Sequence, residues 1–289
     1  MKPLIRPAVL SDREKIATFT ADTFEWGDYV SDVLPEWIED PNGRVMVATD
    51  DQDRAIAMGR GVMLSETEVW LQGARVSTNW RRQGLATAIG EAIIDWAQER
   101  GALVARLGTE TWNIAAQRQV ESGGFRPVGD WVVATRTIEP AEPAAPTNGG
   151  QRAQARRKLD RTHSSDAVPA WVSWRSGPLV GPARGLHAWH WRWARLELEY
   201  LIQAAKVGEL WSSQAGWAYL RYHDDRLAVG WLECGPDDAL DMVRSIVDLA
   251  SAAEVDRVHV TVPVVPWLVA ALEAAGFELH QMIIYERAL

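Results

Sequence analysis

Val76-Ser77-Thr78-Asn79-Trp80-Arg81-Arg82-Gln83-Gly84-Leu85-Ala86 joins a strand-like run, Val69 to Ser77, to an amphipathic helix that begins near Leu85. The first turn of a helix presents backbone N–H groups that have no intrahelical partner. Those donors, the positive end of the helix dipole and two arginines all favour a bound anion. Gly84 removes a Cβ where a phosphate would approach the backbone. The stretch therefore predicts a pyrophosphate cradle over Arg81 to Ala86.

Outward from the cradle, the first half alternates strands and helices. Leu4 to Val9 reads as a short strand. Ser11 to Glu14 reads as a capping-box start to a helix carrying Ile16, Phe19 and Phe24. Tyr29 to Ile38 reads as a second short helix, and Arg44 to Thr49 as a strand. Ala55 to Leu64 and Thr67 to Ser77 read as an antiparallel pair. Past the cradle, Leu85 to Arg100 puts Leu85, Ile89, Ile93 and Trp96 on one helical face. A buried strand at Leu103 to Leu107, a helix at Asn113 to Ser122 and a strand from Phe125 to Ile138 complete the half.

Residues 139–166 read as a connector. Glu139 to Pro146 is proline-rich, and a basic stretch with Arg152, Arg156, Arg157, Lys158 and Arg161 follows. Without interleaved aromatics this stretch reads as a solvated linker, not a nucleic-acid patch. In the second half, Leu186, Trp189, Trp193, Leu196 and Tyr200 have helical spacing. Strands are expected at Gly216 to Tyr222, Arg226 to Leu232 and Arg257 to Val262, with helices at Asp238 to Ala252 and Val265 to Ala275. Gly124-Phe125 and Gly276-Phe277 lie 152 residues apart, and the flanking strands and helices repeat in the same order. This predicts an internal duplication: domains at 1–138 and 167–289 with a linker at 139–166.

The totals agree with a globular protein of two domains. The chain has 289 residues, 47% hydrophobic and 24% charged. No apolar run approaches the roughly 18 residues of a membrane span, and Met1 to Leu10 lacks a signal pattern. A cytoplasmic location without membrane contact is expected. The net charge of -9 disfavours nucleic acid and mildly favours cationic partners. The single cysteine, Cys234, reads as a small buried residue. His187 and His190 lie three apart among tryptophans with no third metal ligand evident, so no metal is expected.

The signature V-x-x-x-x-R-x-x-G-x-A at Val76 to Ala86 resembles that of the GNAT N-acetyltransferase superfamily. A second motif, Asn113-Ile114-Ala115-Ala116 followed by Gly124-Phe125, strengthens the resemblance. It covers residues 3 to 138 well and roughly 168 to 289 weakly, as a decayed copy. The resemblance implies an α/β (α+β) fold of two tandem GNAT-like domains, each a mixed, mostly antiparallel sheet flanked by helices. It implies acetyl-CoA as cosubstrate, with the pyrophosphate on the amides of Arg82, Gln83, Gly84, Leu85 and Ala86 and charge from Arg81 or Arg82. Backbone groups from Val76 to Thr78 would meet the pantetheine arm and the acetyl carbonyl, and Asn113 would bond the pantetheine or phosphate region. Two positions depart from the family pattern. Val120 stands where many members carry a tyrosine that protonates the leaving thiolate, and Gln72 stands where many carry a glutamate.

Acetyl transfer to an amine needs a neutral nitrogen, so a proton must leave. No histidine precedes residue 163, so a carboxylate or water serves in the first domain. Glu68, on the strand beside the expected acetyl position, is the first candidate base. Glu66, Glu25 and Asp28 are the other acids, and Trp26 and Tyr29 would line an acceptor site with Glu25 and Asp28. The thiolate would take its proton from water or Tyr29. In the second copy, the 152-residue offset moves Arg81 onto Glu233, Gly84 onto Pro236 and Asn113 onto Val265. A loop that has gained acids repels a pyrophosphate. The second domain is therefore expected not to bind CoA, but to cover the first, shape its acceptor pocket or form a homodimer contact. The expected function is N-acetyl transfer from acetyl-CoA to a primary amine, small or peptidic, by direct attack in a ternary complex. The alternative is a non-catalytic acyl-CoA-binding or interaction protein on the same fold.

Overall fold

A computed structural model describes residues 3–21, 23, 27–139 and 158–289. β1 (Leu4–Pro7) leads into α1 (Arg13–Thr20) and α2 (Val30–Glu39), and β2 (Gly43–Thr49), β3 (Ala55–Met63) and β4 (Glu68–Val76) follow as an antiparallel meander. Next come α3 (Leu85–Gln98), β5 (Val104–Glu110), α4 (Ile114–Ser122) and β6 (Arg126–Thr137). Then follow β7 (Asp160–Arg161), α5 (Ala167–Ser176), the hairpin β8 (Leu186–Trp189) and β9 (Arg192–Arg195), and α6 (Leu198–Lys206). β10 (Leu210–Ser213), β11 (Gly216–His223), β12 (Arg226–Cys234), α7 (Ala239–Ala252), β13 (Arg257–Pro263), α8 (Pro266–Ala274) and β14 (Glu278–Ala288) complete the chain. Most of the connector, residues 140–157, lies outside the described residues.

The chain forms two compact units, Met1–Pro127 with Ile284–Leu289, and Val128–Ile283. This differs from the contiguous division at 138 and 167. Residues 128–137 of β6 belong to the second unit, where β6 pairs antiparallel with β13. The last residues of β14 belong to the first unit, where the Leu289 amide donates to the Leu103 carbonyl at 2.9 Å. Strand pairing, not chain order, decides membership, because each edge of a sheet takes whichever strand fills its open N–H and C=O groups.

In the first unit the strand order is β1-β2-β3-β4-β5, antiparallel up to β4 and parallel between β4 and β5. In the second it is β6-β13-β12-β11-β10-β7, again with one parallel pair, β12 and β13. Both are mixed, mostly antiparallel sheets with helices against them. α3 packs on β3 where the strand offers no side chains. A Cβ on Gly59 would lie 2.9 Å from Ile89, and one on Gly61 would overlap Ile93. Burying those two isoleucines contributes about 1.5–3 kcal/mol each. α1 starts at Asp12, whose buried carboxylate accepts from the Val9 amide at 2.9 Å and from Arg6 at 2.8 and 3.0 Å.

The helix expected over Leu186 to Tyr200 is instead the β8–β9 hairpin followed by α6. Leu186 pairs with Arg195 and Trp189 with Arg192, so His190 and Trp191 form a two-residue turn. Apolar residues three and four apart fit both a helix and a pair of short, largely buried strands, and spacing alone does not separate the two.

Candidate active site

β4 and β5 pair over three residues, from Glu68↔Val104 to Trp70↔Arg106. Beyond Leu71 and Leu107 they part, and a cavity of about 310 Å³ opens between them. At this point β4 bulges. Met58 faces Arg75 and Arg60 faces Gln72, so Gly73 and Ala74 stand opposite the single residue Gly59. Gly73 has φ +70, and a Cβ there would lie 2.9 Å from the Trp37 ring. Only glycine meets both conditions. A bulge takes a backbone amide out of the ladder and turns it aside, here beside the cavity that Gln72, Gly73 and Arg75 line.

The cradle follows β4 directly. Thr78–Trp80 make a 3-10 turn, Arg81 is extended, and Arg82 and Gly84 are both left-handed, with φ +63 and +77. α3 then starts at Leu85, and its first intrahelical donor is the Ala88 amide to the Gly84 carbonyl at 2.9 Å. No side chain caps the helix at Gly84, and no atom lies within 4 Å of where its Cβ would be. Arg81, Arg82 and Gln83 are exposed; Nε of Arg81 donates to the Val76 carbonyl at 3.3 Å. Ala86 lines the cavity as well, so cradle and cavity are continuous. Asn113 also lines the cavity. It caps α4 by accepting from the Ala116 amide at 3.1 Å.

Val76 and Thr78 do not line the cavity. Val76 pairs with Ala57, and the Ser77 amide donates to the Ile56 carbonyl at 2.9 Å. The backbone that meets the cavity is earlier, from Leu71 to Arg75. The bulge, invisible in the motif, moves the opening upstream.

Glu68 is not placed to act as a base. It begins β4, roughly 16 Å along the strand from Gly73. Its carboxylate is buried and accepts from Nη1 of Arg106 at 2.5 Å, and Arg106 also holds Glu286 at 2.7 Å. Asp28 is also committed: its carboxylate accepts from Nε of Arg75 at 2.6 Å and from the Val30 amide at 2.9 Å. Tyr29 is half exposed, edge-on to Trp37 at 6.1 Å and with the Arg75 guanidinium 6.0 Å from its ring centre. Asp28 and Tyr29 therefore gather at Arg75, on the cavity rim. Phe24, Glu25 and Trp26 lie outside the described residues. Glu91 faces the cavity but is held by Arg287 at 2.5 and 3.1 Å. Arg60 lines the cavity too; it is ion-paired to Asp40 and stacked 4.8 Å from the Trp37 ring centre. The sequence reading missed Gly73, Arg75 and Arg60. The available signal was a glycine inside a strand pattern, which marks a bulge or a close approach.

Residues 12–125 match the sequence profile of the acetyltransferase (GNAT) family. The matched stretch lies within the first domain. The structure of a GCN5-related N-acetyltransferase from Sphaerobacter thermophilus superposes with a TM-score of 0.66 at 16% identity, over 99% of this chain and 95% of that one. A tandem GNAT protein from the clavulanic acid biosynthesis pathway superposes with a TM-score of 0.57 at 12% identity, over 99% and 98%. At these identities the likeness is one of fold, and it extends over both halves. A search of curated protein sequences finds no match.

The second GNAT-like unit repeats the plan and alters the site. β12, α7, β13 and α8 stand as β4, α3, β5 and α4 do. β12 bulges as well: Tyr219 faces Trp231 and Leu220 faces Val229, leaving Gly230 extra, as Gly73 is. A Cβ on Gly230 would overlap the Ala188 carbonyl of β8, so the hairpin lies against the bulge. The link from strand to helix runs 77–84 in the first unit and only 235–238 in the second. The shorter link has no arginine and no left-handed residue, and Asp238 precedes the helix in a right-handed conformation. A constant offset of 152 thus fails here, and Glu233 belongs to β12, not to the loop. It is buried and packs against Gly177; burial pushes its carboxyl up to about 8. Cys234 beside it is buried, and its thiol is pushed up to about 12, mainly by burial. Val265 precedes α8 without a side-chain cap.

Among the described residues no group of three or more His, Cys, Asp or Glu could hold a metal ion. No described helix is long and apolar enough to cross a membrane.

Proposed function

We propose that the first domain transfers an acetyl group from acetyl-CoA to a primary amine by direct attack in a ternary complex. The observation that carries this reading is one continuous surface: an uncapped helix start with two exposed arginines, then a cavity between parting parallel strands, then a bulge at Gly73. The amides from Arg82 to Ala86 take the pyrophosphate, and Arg81 and Arg82 add charge. The pantetheine arm lies between β4 and β5, with the amide of Asn113 toward it. The acetyl carbonyl meets the amides freed at Gly73 and Ala74, which stabilise the oxyanion as the amine attacks. The C–N bond forms, the C–S bond breaks, and the thiolate leaves with a proton from water or Tyr29.

The acids at the cavity, Asp28 and Glu91, are held by Arg75 and Arg287. The amine therefore loses its proton to water, and the acceleration comes from positioning and oxyanion stabilisation. Small amines, amino acids, peptide N-termini and lysine side chains all have the required nitrogen. Gln72 and Val120 both face the cavity and favour a second reading, an acyl-CoA-binding protein without turnover. Thiol release from acetyl-CoA across a panel of amines separates the two. Amine-dependent release that Arg81→Glu abolishes supports the transferase. A CoA-induced rise in Tm without release supports the binding protein, and no shift with CoA removes both readings.

A further inference from the structure

The second unit has a cavity of about 150 Å³ beside its own glycine bulge. It lies between the bulge at Gly230, the parallel pair β12–β13 and the tip of the β8–β9 hairpin. Its walls are of two kinds. Trp189 and Trp193 supply ring surface, and His190, His223, His259 and Arg226 supply N–H donors. A cavity of roughly this volume in an apolar core accommodates one benzene ring.

The charge around it is positive although the chain carries -9. Burial first, and then His223, Arg192, Arg221 and Arg226, push His190 down to about 4. Burial, then Arg226 and Arg257, lower His259 too, against a smaller opposing effect of Asp225. The opposing carboxylates lie to the side: Asp224 at 2.9 Å from Nδ1 of His223, and Asp225 at 3.3 Å from Nε of Arg226. The Asp225 contact uses only Nε of Arg226 and leaves the two terminal nitrogens to a ligand. Glu209 is occupied by Arg221, whose guanidinium stacks 4.2 Å from the Trp189 ring centre. The hairpin tip projects the His190 and Trp191 side chains from a two-residue turn, and φ of +47 and +62 there is what such a turn requires.

We propose that this cavity binds a small monocyclic aromatic carboxylate, with its ring between the tryptophans and its carboxylate on Arg226 and the histidines. Rings alone would take any apolar molecule, and cations alone any anion. The two together in one-ring space select a ligand that has both.

Titration of intrinsic tryptophan fluorescence in the full chain tests this, with benzoate as the probe. Benzamide supplies the same ring without charge, and inorganic phosphate supplies charge without a ring. Saturable quenching by benzoate, at least about tenfold tighter than by benzamide or phosphate, is the expected result. Arg226→Gln, at an exposed guanidinium, should weaken benzoate about tenfold or more. Ala228→Leu should block the cavity with charge unchanged; Tm and circular dichroism establish that both variants are folded. Benzamide or phosphate binding as tightly as benzoate overturns the proposal. So does benzoate binding that both folded variants retain, or the absence of saturable quenching.

Discussion

The β4–β5 and β12–β13 clefts start from the same arrangement and end as different sites. Each has one parallel strand pair, a glycine bulge on the strand before the helix, and a helix after it. In the first, the strand-to-helix link is long enough for two left-handed residues and carries two arginines. In the second, the link is short and acidic, and the hairpin lies against the bulge. The bulge is common to both units, while the strand-to-helix link differs between them in length, charge and backbone. Gly230 has kept its place although the cradle beside it is gone.

The strongest test of this contrast is to put the second link's charge into the first. Arg81→Glu with Arg82→Glu places two carboxylates at the helix start, against both the dipole and a pyrophosphate. Losing two charge-assisted contacts and adding repulsion should weaken CoA by about 100-fold or more, read by calorimetry. Tm without ligand should stay near that of the parent, because both side chains are exposed. Retained CoA affinity would place the anion site elsewhere.

Next in size is Glu68→Gln. If this carboxylate is structural, the substitution strips a buried partner from Arg106, whose side chain is 2% exposed. Stability to urea should fall by about 2–4 kcal/mol, while kcat/KM at a temperature where the protein is folded stays within about twofold. A large loss of kcat with unchanged stability would return Glu68 to the chemistry.

Glu233 gives the second unit a pH signature of its own. Its carboxyl is pushed from 4.5 to about 8 by burial. Above pH 4.5 the unfolded chain releases this proton and the folded chain keeps it. The folded state binds more protons, so stability falls as pH rises from about 4.5 to 8. Glu233→Gln removes that slope. Urea unfolding at several pH values should show parent and variant converging near pH 5. By pH 8 the variant should be more stable by about 1–3 kcal/mol. Parallel curves would mean that Glu233 titrates normally.

What could be read in the sequence was local. Arg81, Gly84 and Asn113 announce themselves because a turn and two helix starts are set by their own few residues. The bulge at Gly73 is a matter of register between β3 and β4, which a glycine inside the β4 pattern hints at but does not fix. The contact of Glu68 with Arg106 and Glu286 joins three strands distant in the chain, so Glu68 reads as available until the sheet is assembled. The same holds for β6 and the end of β14, whose membership is decided by pairing. His190 and Trp191 misled for another reason. Neither is a residue that signals a two-residue turn, since asparagine and glycine are the usual choices, and the tryptophan spacing on either side imitates a helix.

The smallest expected effect is the reverse exchange. Asp238→Arg gives the second link a cation at the helix start, the charge that the first link uses. If charge alone made the cradle, CoA would gain a second site. The geometry argues against it. The link at 235–238 has no left-handed residue among those with positive φ, and Pro236 in it has no N–H to donate. The cation would also sit near the positive end of the α7 dipole, costing a few tenths of a kcal/mol. Calorimetry should therefore still find one CoA per chain, and stability should move by no more than about 0.5 kcal/mol. A second binding event would show that the arginines outweigh the backbone, and that charge, not loop length, separates the two clefts.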